Sequence, residues 1–410
     1  MPLLFLAGFV TSLLSLLILG SGGYFLWTWY DGAWVRDSAG VLYRVRDDWR
    51  LWSGLALAAW SVLGRWVTPL VLAKRDVRPT KAERGAGRVI KSPTGSTLYV
   101  ETYGREDAPP IVFTHGWGMD STFWNYAKRD LGDRFRLIFW DLPGLGKSKS
   151  GGLAAIDLNA FATDLATLVQ TCARRPVLVG HSIGGITIQT LVRDQPELQA
   201  RLAGVVLLNT TYTNPLKTMI LSRLAMALQK PVLEPMMKLT ILLQPFAWLM
   251  QWQSYLSGSA HVGQRIGYGK FVTRSQLEHT TLLSTRNPPG VLAKGNLAMF
   301  AWDATGAMSA LRVPALVIGG DMDVVTKLEA NRAIAEESGR ARLLVVEGVN
   351  HMGPMERADL YNKMIADFTL ELQPSATMDH SSRKGVNVAD DAVDTGSAIY
   401  WRDEDKPSVQ

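Results

Sequence analysis

Cysteine is nearly absent from this chain, with Cys172 the single one in 410 residues. One thiol forms no intrachain disulfide, so nothing in the fold depends on an oxidising compartment. No CxxC and no His/Cys cluster suggests a metal. Charge is missing altogether from residues 2–30, PLLFLAGFVTSLLSLLILGSGGYFLWTWY. That run exceeds the about 20 apolar residues needed to cross a bilayer as a helix. Its aromatic end suits the passage from hydrocarbon to headgroups. No Lys or Arg precedes it, and no small-x-small cleavage site stands before the aromatic cluster, so a cleaved signal peptide is the weaker reading.

Positive charge is present but local. Residues 31–91 hold 12 Lys+Arg against 6 Asp+Glu, which accounts for the whole net charge of +6. A nucleic-acid binder is disfavoured, because the excess adjoins the apolar segment and does not spread over the body. Residues 51–73 are apolar except for Arg65. They read either as a second span closing a hairpin or as an interfacial helix with Trp52, Trp60 and Trp66 near the headgroups. One span plus an interfacial helix is preferred, since a hairpin would export Arg36, Arg44, Arg46 and Arg50. Lys74, Arg75, Arg78, Lys81, Arg84, Arg88 and Lys91 follow, a basic flank that tends to remain cytoplasmic. Either topology leaves the remainder of the chain on that side.

From about residue 87 the pattern becomes short β-rich runs separated by helical ones, as in a mainly parallel sheet covered on both faces. RVIKS and TLYVETY read as an opening hairpin. IVFTHG, RLIFWD, PVLVGHS, AGVVLLNT, ALVIGGD and RLLVVEG are the candidate parallel strands. Residues 211–303 interrupt the rhythm for far longer than an ordinary crossover. They are expected to form a helical lid over the carboxyl edge of the sheet, with an adaptable surface from Met219, Met226, Met236, Met237 and Met250. The expected organisation is an anchor over 1–80, a core in two parts (87–210 and 304–372) divided by the lid, and a disordered tail over 373–410.

The G-x-S-x-G pattern within LVGHSIGG places Ser182 on a cramped turn that only small neighbours tolerate. A Ser hydroxyl is a weak nucleophile near neutral pH, so it needs a base, an orienting acid and oxyanion donors at neighbouring strand ends. His351, in EGVNHMGPMER after the last strand, is the base candidate. Asp321 and Asp323, in VIGGDMDVVT, compete for the acid, and Asp323 is the choice; the other reads as a helix N-cap. The preceding strand runs into NTTYTN without a carboxylate. Backbone N–H groups of Ile183, opening a helix, and of Trp117, in HGWGMD, are the candidate oxyanion donors.

Together HGWG, DLPGLGKS, GHSIGG, GGDMDVVT and NHMGPMER resemble, in order, motifs of the α/β-hydrolase superfamily, in its lidded serine-hydrolase branch. The resemblance spans residues 87–372 and implies a mostly parallel eight-stranded sheet with helices on both faces; the helical lid insertion and the N-terminal transmembrane helix are expected beside it from the residues, since no membrane segment is general to the family. The resemblance implies Ser182 as nucleophile, Asp323 as acid and His351 as base, with Trp117 and Ile183 as oxyanion donors and no cofactor or metal. Asp323 matches the family position three residues before Thr326, where relatives often have Pro. The function expected is that of a membrane-anchored serine esterase or lipase acting on an apolar ester, including a monoacylglycerol-like lipid, with its catalytic domain cytoplasmic. The alternatives are acyl transfer or perhydrolysis by the same triad, and a non-catalytic binding or scaffold protein of the same fold.

Overall fold

A computed structural model describes residues 2–373 and 399–401. Helices α1 (Pro2–Asp31) and α2 (Asp48–Leu72) are joined by a β-hairpin of β1 (Ala33–Arg36) and β2 (Leu42–Val45). The two helices run antiparallel at a distance set by glycine. A Cβ on Gly54 would lie 2.7 Å from Leu26 Cγ, and one on Gly22 would lie 3.1 Å from Leu57 Cβ. The helix expected over 51–73 is present as α2, packed along α1 because small residues let the two lie together. Both helices are long and apolar enough to cross a membrane by length and composition.

Strands β3 (Gly87–Lys91) and β4 (Thr97–Tyr103) form the expected antiparallel hairpin. Six strands follow: β5 (Pro110–Thr114), β6 (Arg136–Trp140), β7 (Val177–His181), β8 (Gly204–Leu208), β9 (Ala315–Gly320) and β10 (Ala341–Val346). They are mutually parallel in the order β6, β5, β7, β8, β9, β10, and β4 joins β6 antiparallel. This is the α/β-hydrolase sheet of eight strands. The tail expected to be disordered, 373–410, lies mostly outside the described residues. Within it, β11 (Ile399–Trp401) departs from that expectation and pairs parallel with β10, as an Ile-Tyr-Trp triplet suits an edge strand.

Alternation along the strands divides the core. Val112, Leu178 and Val205 face one layer with α4 (Leu158–Gln170) and α5 (Ile183–Asp194). Ile111, Phe113 and Val179 face the other layer, where α3 (Asn125–Leu131), α14 (Gly353–Glu356) and α15 (Ala358–Glu371) cover the opposite side of the sheet. Burial on both faces is why these strands read as continuous apolar runs.

Residues between β8 and β9 form the helical insertion: α6 (Pro215–Thr218), α7 (Ser222–Leu228), α8 (Glu234–Leu242), α9 (Gln244–Leu256), α10 (Ser259–Arg265), α11 (Arg274–Arg286) and α12 (Pro289–Ala301). The helical hairpin docks on it through polar contacts. Ser257 Oγ donates to Ser15 Oγ (2.9 Å), Gln253 Nε2 to the Ser61 carbonyl (3.1 Å), and Arg65 Nη1 to the Tyr255 hydroxyl (3.0 Å). A Cβ on Gly64 would lie 2.1 Å from the Ser257 carbonyl oxygen. The methionines do not form one surface. Met219 and Met237 are buried in a cluster with Leu216 and Phe300, whereas Met250 lines a cavity beside α1.

Candidate active site

Ser182 stands between β7 and α5 with φ 58° and ψ −118°, a left-handed backbone that a non-glycine residue holds at a cost of about 1–3 kcal/mol. The surrounding glycines make the turn possible. A Cβ on Gly180 would lie 2.4 Å from the Gly184 backbone, and one on Gly184 would lie 2.3 Å from the Thr114 carbonyl oxygen. The strained residue is pinned on both sides: its N–H donates to the Leu208 carbonyl (2.9 Å), and its carbonyl accepts the Thr210 hydroxyl (2.7 Å).

His351 Nε2 lies 3.0 Å from Ser182 Oγ, and its Nδ1 lies 3.0 Å from Asp323 Oδ2. The three residues expected to meet are therefore in one hydrogen-bonded line, although 169 and 28 positions separate the pairs in sequence. All three are buried, Ser182 to 1 % exposure and His351 to 2 %. Burial alone would raise the carboxyl of Asp323. His351 opposite it, the N–H groups of Val325 and Thr326 on Oδ1, and the Asn209 amide on Oδ2 hold it below the ordinary carboxylate range. The rival Asp321 is exposed and accepts the Gly348 N–H (2.7 Å). It does not cap a helix, since α13 (Leu328–Ser338) begins after Lys327.

The first N–H of α5 belongs to Ile183, where no helical carbonyl precedes it and the helix dipole favours negative charge. For Trp117 the orientation follows from its neighbours. His115 Nε2 accepts the Leu142 N–H (3.0 Å), which leaves Nδ1–H to donate to the Gly116 carbonyl (2.9 Å). That carbonyl also accepts the Met119 N–H (3.1 Å). In a trans peptide the N–H of Trp117 points the opposite way from the clamped carbonyl. Gly116 itself adjoins Ser182, since a Cβ there would lie 3.5 Å from Ser182 Cβ.

The insertion holds the same loop from above. The Trp117 indole N–H donates to the Leu292 carbonyl of α12 (3.0 Å), and Asn287 Nδ2 donates to the Gly118 carbonyl (2.8 Å). On the other side Arg84, from the basic flank, bridges Asp120 (2.6 Å) and Asp141 (2.7 Å). Burial works against its charge, yet the two carboxylates hold the guanidinium more firmly protonated than usual. Part of the flank expected to mark membrane topology is thus used inside the fold.

Several residues around the site escaped the sequence reading. Asn209, at the end of β8, has φ 45°; its amide donates to Asp323 Oδ2 (3.0 Å), and it accepts the Tyr361 hydroxyl (2.7 Å). Thr326 Oγ1 also donates to Asp323 Oδ2 (2.9 Å), so the threonine in place of the family's proline supplies the carboxylate with two donors. His181 donates from Nε2 to the His351 carbonyl (2.9 Å). Burial, with His351 nearby, depresses His181 to about 3, so it stays neutral.

Residues 111–364 match the model of the Alpha/beta hydrolase family, and the chain belongs to that family. It is 26 % identical to a pimeloyl-[acyl-carrier protein] methyl ester esterase of Nitrosospira multiformis, over 66 % of this chain and 98 % of that protein. A protein of the same description from Sodalis glossinidius is 34 % identical, but over 27 % of this chain and 40 % of its own length. Among solved structures, an esterase from Exiguobacterium antarcticum superposes with a TM-score of 0.57 at 18 % identity, covering 70 % of this chain and all of that one. Fold and family together define an α/β hydrolase, and the relatives it resembles are named as methyl ester esterases.

Proposed function

We propose that the protein is a membrane-anchored serine esterase that cleaves apolar or lipid-like carboxylic esters through an acyl-enzyme. The observation that carries this reading is the line Asp323–His351–Ser182, with both contacts at 3.0 Å. Ser182 Oγ attacks the ester carbonyl carbon as His351 Nε2 takes its proton. The N–H groups of Trp117 and Ile183 stabilise the oxyanion. Collapse breaks the carbon–oxygen bond to the alcohol, which leaves with the proton from His351. A water then gives a proton to His351 and attacks the acyl carbon, freeing the acid and restoring Ser182. Asp323 remains ionised and orients the imidazole. The relatives named as methyl ester esterases act on the same class of bond.

Two features support the membrane. Aromatic residues are exposed around the far end of the hairpin, among them Trp27, Tyr30, Trp34, Trp49 and Trp52, as at a headgroup boundary. The insertion exposes Leu242, Phe246 and Leu249 as well, so it acts as a lid whose outer face meets lipid. The Ser15–Ser257 contact ties α1 into the fold, which argues for its retention over cleavage. As α1 and α2 are antiparallel, the lid and sheet lie on one side, which the basic residues after Leu72 mark as cytoplasmic.

The test is labelling of the full-length protein with a fluorophosphonate probe, mapped by mass spectrometry, alongside hydrolysis of p-nitrophenyl esters of increasing chain length. Adduct formation at Ser182 and loss of turnover in Ser182→Ala are expected. Equal activity in the variant overturns the mechanism.

A further inference from the structure

One cavity of the protein is walled on one side by the N-terminal helix. It holds about 1050 Å³ of space between atoms, counting the part open to solvent, and reaches from Leu4, Phe5, Gly8, Phe9 and Ser12 of α1 to the loop Trp117–Met119. That loop adjoins Ser182 through Gly116. Ser182 and His351 do not themselves line the cavity, so a ligand chain placed there points toward the reacting atoms from beyond the oxyanion loop. Helices α8, α9, α10, α11 and α12 supply the remaining wall, including Met250 and Leu292.

The lining carries two chemical signals. No Asp, Glu, Lys, Arg or His is part of it. A carboxylate or phosphate drawn inside would lose its hydration with no counter-charge to replace it. Uncharged polar groups are present, however, and three of them lack a partner: Gln264 Nε2, Asn296 Oδ1 and Ser254 Oγ, on residues 7 %, 1 % and 1 % exposed. The Asn296 amide donates to the Leu292 carbonyl (2.9 Å), which leaves its oxygen as a free acceptor. Buried groups of this kind are normally satisfied, and these three belong to residues of the cavity wall.

From this, and resting on the serine esterase reading for the chemistry, we infer that the first three turns of α1 are part of the substrate site, and that the site takes a neutral lipid ester whose apolar chain is accompanied by an uncharged hydrogen-bonding group. Membrane attachment and substrate selection then reside in the same helix. Gly8 sets the depth of the cavity. An added Cβ there meets no atom within 4 Å, so a larger side chain grows into the space that the ligand uses.

The test uses the full-length protein in detergent micelles. Gly8→Leu is expected to lower kcat/KM for p-nitrophenyl dodecanoate at least tenfold while p-nitrophenyl acetate stays within twofold. Gly20→Leu is the control: that glycine is exposed on the same helix, with nothing within 4 Å of an added Cβ, and both esters should be unaffected. Replacing glycine by leucine favours the helix in both variants, so folding is not threatened. Binding is measured separately, on a Ser182→Ala background, with radiolabelled 1-monolauroylglycerol in a scintillation proximity format. Adding Gly8→Leu should weaken it at least tenfold, and laurate ion should bind less well than the neutral ester. Unchanged ester profiles and unchanged binding in Gly8→Leu overturn the inference, as does a preference for laurate. If Gly8 governs binding while Ser182 neither labels nor turns over ester, the substrate wall stands and the esterase reading falls.

Discussion

The amide of Asn209 donates to Asp323 Oδ2 at 3.0 Å, the oxygen that also faces Nδ1 of His351. Its own oxygen is occupied by the Tyr361 hydroxyl, so one residue joins the acid to a buried tyrosine of α15 (Ala358–Glu371). A hydrogen bond to an ionised group contributes about 1.5–3 kcal/mol, so Asn209→Ala should lower kcat/KM roughly 10- to 100-fold. Tyr361→Phe leaves the Asp323 contact in place. It should lower stability with a smaller loss of rate, and a double-mutant cycle in kcat/KM between the two positions checks the order of effects.

The oxyanion loop should respond to change on α12. A Cβ on Gly295 would lie 2.0 Å from Trp117 Cζ2, so Gly295→Val must push the indole aside. A misplaced donor costs about 10²–10³ in kcat, and a fall of at least tenfold is expected here. Phenylalanine lacks the clashing atom. Trp117→Phe combined with Gly295→Val should recover thermal stability but not rate, as read by Tm and steady-state kinetics.

Acid should weaken the fold before it protonates the Asp323 carboxylate. His181 is depressed by burial from 6.5 to about 3, so the unfolded chain takes up a proton that the folded chain refuses. Stability contributed in this way is present above pH 6.5 and declines as pH falls toward 3. His115, also lowered chiefly by burial, adds in the same direction. Asp323, held below 3.8, contributes stability that is lost only as pH falls through its folded value. The apparent Tm should therefore drop between pH 7 and pH 5, and the drop should shrink in His181→Gln. A flat wild-type profile over that range rejects this account.

Docking of the hairpin should be separable from the chemistry. Gly64→Val places carbon against the Ser257 carbonyl and should part α2 from the insertion. Hydrolysis of long esters should fall more than that of acetate, with fluorophosphonate labelling at Ser182 retained.

What the sequence made legible follows from where the constraints are local. The strained turn at Ser182 needs glycines within two or three residues, and strand ends after β9 and β10 locate Asp323 and His351 without knowledge of packing. Asn209 was overlooked because the end of β8 was searched for a carboxylate, whereas the amide there acts on an acid supplied by the next strand. Tyr361 reads as an ordinary core aromatic within a helical pattern. The burial of one face of α1 was missed because the run is almost uniformly apolar. Its signal is Thr11, Ser12 and Ser15, all buried, at helical spacing with Gly8.

Because α1 closes one side of the cavity, trimming the chain at residue 86 to obtain a more soluble protein would remove Leu4, Phe5 and Phe9 from the cavity wall, together with the Arg84 bridge between Asp120 and Asp141. The remaining sheet and helices would keep Ser182, Asp323 and His351 but display an open trough. Activity recorded on such a fragment would describe a less discriminating catalyst than the full-length protein.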